Sequence, residues 1–349
     1  MNDESVFIDR RQMLGGIGAL STGAVGSTAF ADLSPEPVLG PHFPARAKRV
    51  IHLFMNGGPF QADLFDPKPA LEKYAGQKPK GADLLTERPT GGLLPSPFKF
   101  RPRGESGVPV SELLPKLSEH IDDICVLRSM HADNPNHGPA LLQMNNGTII
   151  PTRPSMGSWF LYGLGSENPN LPGYVVLCPG RPVRFSILWT SAFLPSANQG
   201  PYINHSKTDP NSMVPNLRNA QWDRETQARQ LGLLRKLNSE HQRRRPDEPG
   251  LPARMKAIET GYRMQFQASD AFDLNRETKQ TREAYGKGHF ANGCLLARRL
   301  VERGVRFVQV YYGNGQPWDT HGKHNEKVPE LCRNIDQPIA SLMTDLKNR

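Results

Sequence analysis

Arg49-Val50-Ile51-His52-Leu53-Phe54-Met55, followed at once by Asn56-Gly57-Gly58-Pro59, is the stretch on which the fold turns. A strand with one wet face alternates apolar and polar residues. This run is nearly continuous in its apolar character, so it reads as a strand buried on both faces of a parallel sheet. The Asn-Gly-Gly-Pro run then stops it in a sharp turn. In open α/β sheets the loops at the carboxyl ends of strands are where ligands bind, so chemistry is expected just after Met55.

Working outward, a Pro/Gly-rich excursion runs from Lys68 to about Gly107. A helix is expected over Ser111 to His120, then a second buried strand, Ile124-Cys125-Val126-Leu127. The loop Arg128 to Asn136 leads into a helix around His137 to Met144. Ser155 reads as the N-cap of a helix over Met156 to Leu164, and Tyr174 to Leu177 as a third strand. Residues 206–250 are polar, basic and bounded by prolines, which predicts a surface insertion with one or two exposed helices. Phe290 to Arg303 is amphipathic and ends at Gly304, and Val305 to Tyr312 forms a fourth strand. Ile335 to Asn348 places Ile335, Ile339, Leu342, Met343 and Leu346 on one face, to pack on the sheet. The alternation predicts an α/β fold, a mostly parallel sheet with helices on both faces. The sequence stops at Lys347-Asn348-Arg349 with no strand after the last helix, which suggests a C-terminally truncated domain.

The first residues carry the pair Arg10-Arg11, a weakly apolar run from Gly15 to Phe30, and Ala29-Phe30-Ala31, a small-x-small cleavage pattern. Together these read as a twin-arginine signal over residues 1–31, recognised by the twin-arginine translocase and directing the chain to the periplasm or the medium. The run is too short and too rich in Gly and Ser to make a stable membrane anchor. Without residues 1–31 the chain keeps 41 Lys+Arg against 31 Asp+Glu, a formal charge of +10. The arginines are dispersed, and Arg243-Arg244-Arg245 sits in a polar helical stretch. This argues against nucleic acid and for an anionic small molecule or a sulfated or acidic glycan. Four scattered cysteines form no CxxC pair. Cys125, Cys178 and Cys294 fall in apolar or amphipathic runs and are expected as buried free thiols, with a disulfide left open.

Five blocks together resemble the DUF1501 family of exported bacterial proteins. They are Phe54-Met-Asn-Gly-Gly-Pro59, Asp63-Leu-Phe-Asp-Pro-Lys68, Arg153-Pro-Ser-Met-Gly-Ser-Trp159 with Tyr162-Gly-Leu-Gly165, Ala297 to Phe307, and Trp318-Asp-Thr-His-Gly322. The resemblance covers residues 32–349. It implies an alkaline phosphatase-like or sulfatase-like fold and the activity of that superfamily, metal-dependent hydrolysis of phosphate or sulfate esters. Family members usually run on into a Gly-Glu-Phe-Gly-Arg-like motif and an Asp-His segment, which this sequence does not contain.

Two-metal hydrolases converge carboxylates and imidazoles on cations such as Zn, Ca or Mg, with a hydroxyl or water to attack the ester. Asn56 resembles by position the metal-binding Asp that follows the first strand in the superfamily, and Asp63 and Asp66 follow as substitutes or as loop caps. His131-Ala-Asp133-Asn-Pro-Asn-His137 is similar to a Thr-Phe-Pro-Asn-His stretch in which Thr is the nucleophile. Asp133 stands at the nucleophile's position, flanked by His131 and His137 as substrate-binding groups or as loop hydrogen-bonders. Asp319-Thr-His321-Gly-Lys-His324 puts three ligand-type side chains in six residues, the strongest metal signal in the sequence, although a solvated loop would look the same. No Cys or Ser lies in a Cys/Ser-x-Pro-x-Arg context. Ser155 and Ser158 are expected to cap and to pack. Two functions follow as expectations: a metal-dependent ester hydrolase, and a non-catalytic envelope or glycan-binding protein on the same fold.

Overall fold

A computed structural model describes residues 44, 46–78, 91–214, 217, 219, 221–246, 248 and 250–349. The expected signal, including Arg10 and Arg11, lies outside the described residues. In chain order the elements are β1 (Val50–Phe54), α1 (Pro69–Lys73), β2 (Phe100–Arg103), β3 (Val108–Ser111), α2 (His137–Asn146), α3 (Met156–Leu164) and β4 (Tyr174–Leu177). There follow β5 (Tyr202–Ile203), α4 (Pro210–Met213), α5 (Arg224–Arg244), α6 (Gly250–Ala271), α7 (Lys279–Tyr285), α8 (His289–Glu302), β6 (Phe307–Tyr311) and α9 (His324–Asn348). Strands β1, β6, β4 and β5 form one parallel sheet in that order, and β2 and β3 pair as an antiparallel hairpin.

The inner strands β4 and β6 are fully buried, and their side chains divide by the two-residue period of a strand. Val175, Leu177, Val308 and Val310 point into a core shared with Leu295 and Leu300 of α8 and Cys332 and Ile335 of α9. Tyr174, Val176, Phe307 and Tyr311 point the other way, against Leu141 and Leu142 of α2, Leu161 of α3 and Trp189. Both faces of the parallel sheet therefore carry helices. Burying each such side chain stabilises by about 1.5–3 kcal/mol, so the central pair of strands anchors everything at its carboxyl edge. Gln309 carries a polar group into this core: it donates to Asn145 Oδ1 (2.5 Å) and Tyr311 Oη (2.7 Å) and accepts from Tyr174 Oη (2.8 Å). Its satisfied partners remove the desolvation cost that a lone amide would carry.

Several expectations need correction. β1 is half-buried throughout rather than buried on both faces, because it pairs with β6 and no further strand flanks it among the described residues. Ser111 to His120 is not a helix. Ser111 closes β3, Pro115 denies the next turn its N–H, and only a 3₁₀ stretch, Leu117–Asp123, forms. Ile124 to Leu127 is unpaired chain. Ile124 and Val126 pack on the core, while Cys125 and Leu127 face outward. Cys125 is thus exposed, and all four cysteines are free thiols. Burial raises the thiols of Cys178 and Cys332, each to about 12.

The predicted insertion is a helical hairpin longer than expected. α5 buries only Gln227, whereas the end of α6 reaches the core through Ala268 and Ala271. The last helix starts at His324, eleven residues early, because Val328 and Cys332 extend the apolar stripe of Ile335. Behind the sheet, Arg298 is 1% exposed and pairs with Glu277 (2.6 Å), Glu302 (3.0 Å) and Asp345 (3.3 Å). Burial pushes the Glu277 carboxyl up, but hydrogen bonds from Arg298 and Arg299 outweigh it and hold the group below its usual range. Among the described residues no helix is long and apolar enough to cross a membrane.

Candidate functional site

The carboxyl ends of β1 and β6 lie side by side, because Phe54 registers with Tyr311. The turn after β1 is locked to the loop after β6 by Asn56. Its amide donates to the carbonyls of Gly313 (2.9 Å) and Gly315 (2.5 Å), and its Oδ1 accepts from Gly313 N (3.2 Å). Gly57 has φ +107°, and a Cβ there would meet the backbone nitrogens of Asp319 at 2.6 Å and Trp318 at 2.8 Å. Only glycine allows this approach. It presses the Asp319 loop onto the first turn.

Two linked clusters result. In the first, Asp319 Oδ2 lies 2.8 Å from His137 Nε2 and 2.6 Å from His321 Nε2. His137 opens α2, whose N-cap Asn136 accepts from Gly138 N; the cap fixes the helix start and so delivers the imidazole to a loop 182 residues away. In the second cluster Asp63, in a 3₁₀ turn after β1, sits 1% exposed with Oδ2 2.6 Å from His324 Nε2. The same imidazole's Nδ1 meets Thr320 Oγ1 at 3.1 Å. Asp63 Oδ1 is buried without a hydrogen-bond partner. Thr320 neighbours Asp319 in sequence and so joins the two clusters.

Of the residues expected from sequence, Asp63, His137, Asp319, His321 and His324 are brought together. Asn56 is at the same edge, but every donor of its amide and its acceptor are engaged with backbone, so it serves as a clasp between loops rather than an open ligand. Asp133 is not drawn in: its backbone N–H and its carboxylate bind the side-chain amide of Gln143 (2.8 and 2.7 Å). His131, its side chain 82% exposed, lies 4.0 Å from Asp133. The Pro135 turn before α2 sends His137 inward and leaves these two in solvent. Asp66 pairs with Lys68 at 2.5 Å and Arg128 at 4.0 Å, a loop-stabilising role. Ser155 caps α3, and Ser158 donates to Thr190 O at 3.2 Å. Thr320 is the member of the second cluster that no sequence signal marks beyond its place inside the Asp-Thr-His run.

The donor chemistry of His137, His321 and Asp319, two imidazoles and a carboxylate, suits a divalent cation of the zinc type. As arranged, these donors satisfy one another, and among the described residues no three His, Cys, Asp or Glu side chains are grouped so that they could hold a metal ion. Metal loading would exchange the two imidazole–carboxylate hydrogen bonds for bonds to the cation. Cavities of about 340 and 150 Å³ are lined by none of these residues. No curated protein and no solved structure matches the chain. A family model described as "Protein of unknown function (DUF1501)" matches residues 47–349, and the chain belongs to that family.

Proposed function

We propose that the chain is a metal-dependent hydrolase of phosphate or sulfate esters, built on an alkaline phosphatase-like form of its parallel sheet. The observation that carries this reading is the convergence of His137 and His321 on one oxygen of Asp319 at the carboxyl edge. There a parallel sheet places its ligands. His137, Asp319 and His321 would hold a divalent cation, zinc being the best match to the donors, with calcium or magnesium as weaker ones. The cation would supply Lewis-acid polarisation of the ester oxygen and offset developing charge. The basic balance of the chain favours anionic substrates. Arg10-Arg11 and the segment behind them support delivery by the twin-arginine translocase to the periplasm or the medium, a route that allows metal loading before export.

Metal content after dialysis against zinc, with turnover of aryl phosphate and aryl sulfate, tests the reading. Stoichiometric zinc lost in Asp319→Asn, together with turnover lost in the same variant, is expected. Zinc binding unchanged in Asp319→Asn would remove the ground for the proposal. A second reading, a glycan-binding protein without catalysis, is favoured by one feature. Trp159, Tyr162 and Phe193 are 43–67% exposed, and Trp159 contacts Phe193 and Tyr162 edge to face, with centroids 5.7 and 6.1 Å apart. Exposed aromatic faces of this kind suit the apolar face of a sugar. Binding of sulfated glycans lost in Trp159→Ala, with no ester turnover, would favour that reading.

A further inference from the structure

The hydrolase reading leaves the attacking group unassigned, because Asp133 lies outside the cluster. The structure assigns that part to Thr320: we propose that Thr320 Oγ1 is the nucleophile, that His324 is its general base and that Asp63 orients the imidazole. The proposal rests on the hydrolase reading for its substrate class and on separate geometry for its chemistry.

Asp63 Oδ2, His324 and Thr320 Oγ1 form an unbroken carboxylate–imidazole–hydroxyl chain of 2.6 and 3.1 Å. That connectivity activates a hydroxyl: the base lies within hydrogen-bond reach of it, and a third group fixes the base's tautomer. With Nε2–H donated to Asp63, Nδ1 is free to accept the hydroxyl proton. The other oxygen of Asp63 is buried without a hydrogen-bond partner, so among the described residues the side-chain hydrogen bond of this carboxylate goes to His324.

A capping role would explain a threonine just before a helix. It does not apply here, since the N-cap of α9 is Lys323 and no side chain caps it. The hydroxyl is directed to the imidazole instead. Its residue is held rigidly, with the Thr320 carbonyl accepting from Gly322 N (2.5 Å) and Lys327 Nζ (3.0 Å). His321 and Lys323 beside it adopt φ +47° and +56°. Left-handed backbone at non-glycine residues is strained and gathers at active sites. Asp63 is buried, the His324 side chain is 32% exposed and Thr320 is 9% exposed, so the imidazole is the most exposed of the three groups and the hydroxyl lies just beneath the surface.

The step balances. Thr320 Oγ1 attacks phosphorus or sulfur and forms a new O–P or O–S bond. Its proton passes to His324 Nδ1, the ester bond to the leaving oxygen breaks, and that oxygen takes the proton from His324. Water then gives a proton to His324 and attacks the Thr320 ester. The O–P or O–S bond to Thr320 breaks, and Oγ1 recovers the proton.

Two measurements on the full chain test this: labelling by an alkyl fluorophosphonate with mass mapping of the site, and turnover of aryl phosphate in the zinc-loaded protein. The fluorophosphonate needs only an activated hydroxyl, which displaces fluoride. Labelling at Thr320 is expected, slowed at least about 100-fold in His324→Gln and Asp63→Asn, kept in Thr320→Ser and absent in Thr320→Val. Thermal unfolding confirms that each variant is folded. No label on Thr320 in the wild type overturns the proposal. So does aryl phosphate turnover kept by folded Thr320→Val, which leaves the hydrolase reading standing. Labelling of Thr320 without ester turnover under any cation supports the activated hydroxyl and overturns the hydrolase reading instead.

Discussion

Acid should unfold this protein through two desolvated histidines, the buried His205 and the half-buried His52, and His205 offers the cleaner test. It is 1% exposed, and neither ring nitrogen has a hydrogen-bond partner. Gly293 of α8 makes room for it, since a Cβ there would come within 2.9 Å of His205 Nε2. Burial, and then the nearby charge of His289, lowers its pKa from 6.5 to about 3. His52 in β1, edge-on to Phe54 and Phe307, is lowered by burial to about 4. Both pKa values fall on folding, so the unfolded chain binds protons that the native protein refuses. The stability these neutral rings contribute is complete above pH 6.5 and is lost as pH falls toward 4 and 3. Linkage gives about 2 kcal/mol lost per histidine at pH 5. That is a large share of a total of about 5–15 kcal/mol.

His205→Leu removes the proton site while keeping an apolar side chain of similar volume. Urea unfolding of wild type and variant should be followed from pH 7 to 4.5. The variant's midpoint should fall less on acidification, by about 0.7 M at pH 5 for an m value of about 3 kcal/mol/M. Parallel curves for the two proteins across this range would show that His205 is not held neutral by burial, and the reasoning would fail.

Other substitutions probe other joints of the structure. Arg298→Ala should cost about 3 kcal/mol in thermal unfolding, because it deletes the buried guanidinium that pairs with Glu277, Glu302 and Asp345 and leaves Glu277 only Arg299 and Asp345 only the Tyr285 hydroxyl. A cost below 1 kcal/mol would mean that water reaches those carboxylates. Asn56→Asp should destabilise by about 2–5 kcal/mol, since a carboxylate would face the carbonyls of Gly313 and Gly315. Tighter zinc binding with intact stability would instead make position 56 a ligand. Ser155→Ala should lower stability by about 1–2 kcal/mol through loss of the α3 cap, read from the same melts.

Much of this architecture is legible locally. The apolar run at Val50, the buried run at Tyr174 and the run into Tyr312 all mark true strands; in β4 and β6 burial on both faces imposes apolar side chains in sequence order, and the half-buried β1 keeps its apolar run against β6. Ser155 and Gly304 mark real helix ends, since capping and left-handed stops are settled within a few residues. Ile124 to Leu127 misled for the same reason. Four apolar residues can line a core edge without pairing, and only the neighbours distinguish the two. Cys125 then turned outward with the alternation.

The candidate site divides along the same line. The Asp319 to His324 run was visible as a dense group of ligand-type residues, and so was the His131 to His137 loop. Sequence could not tell which end of that loop faces inward. A turn at Pro135 and the Asn136 cap decide that His137 enters and that Asp133 stays out. Asp63 with His324, and His137 with Asp319, are joined across 261 and 182 residues. No local spacing encodes such pairs. Sequence alone determined β1, β4 and β6 of the parallel sheet, several of the longer helices, the family and the loops that carry chemistry, because those follow from short-range burial patterns and motif order. The tertiary structure decided which side chains meet, because the parallel order β1-β6-β4-β5 sets the turn after β1 against the loop after β6.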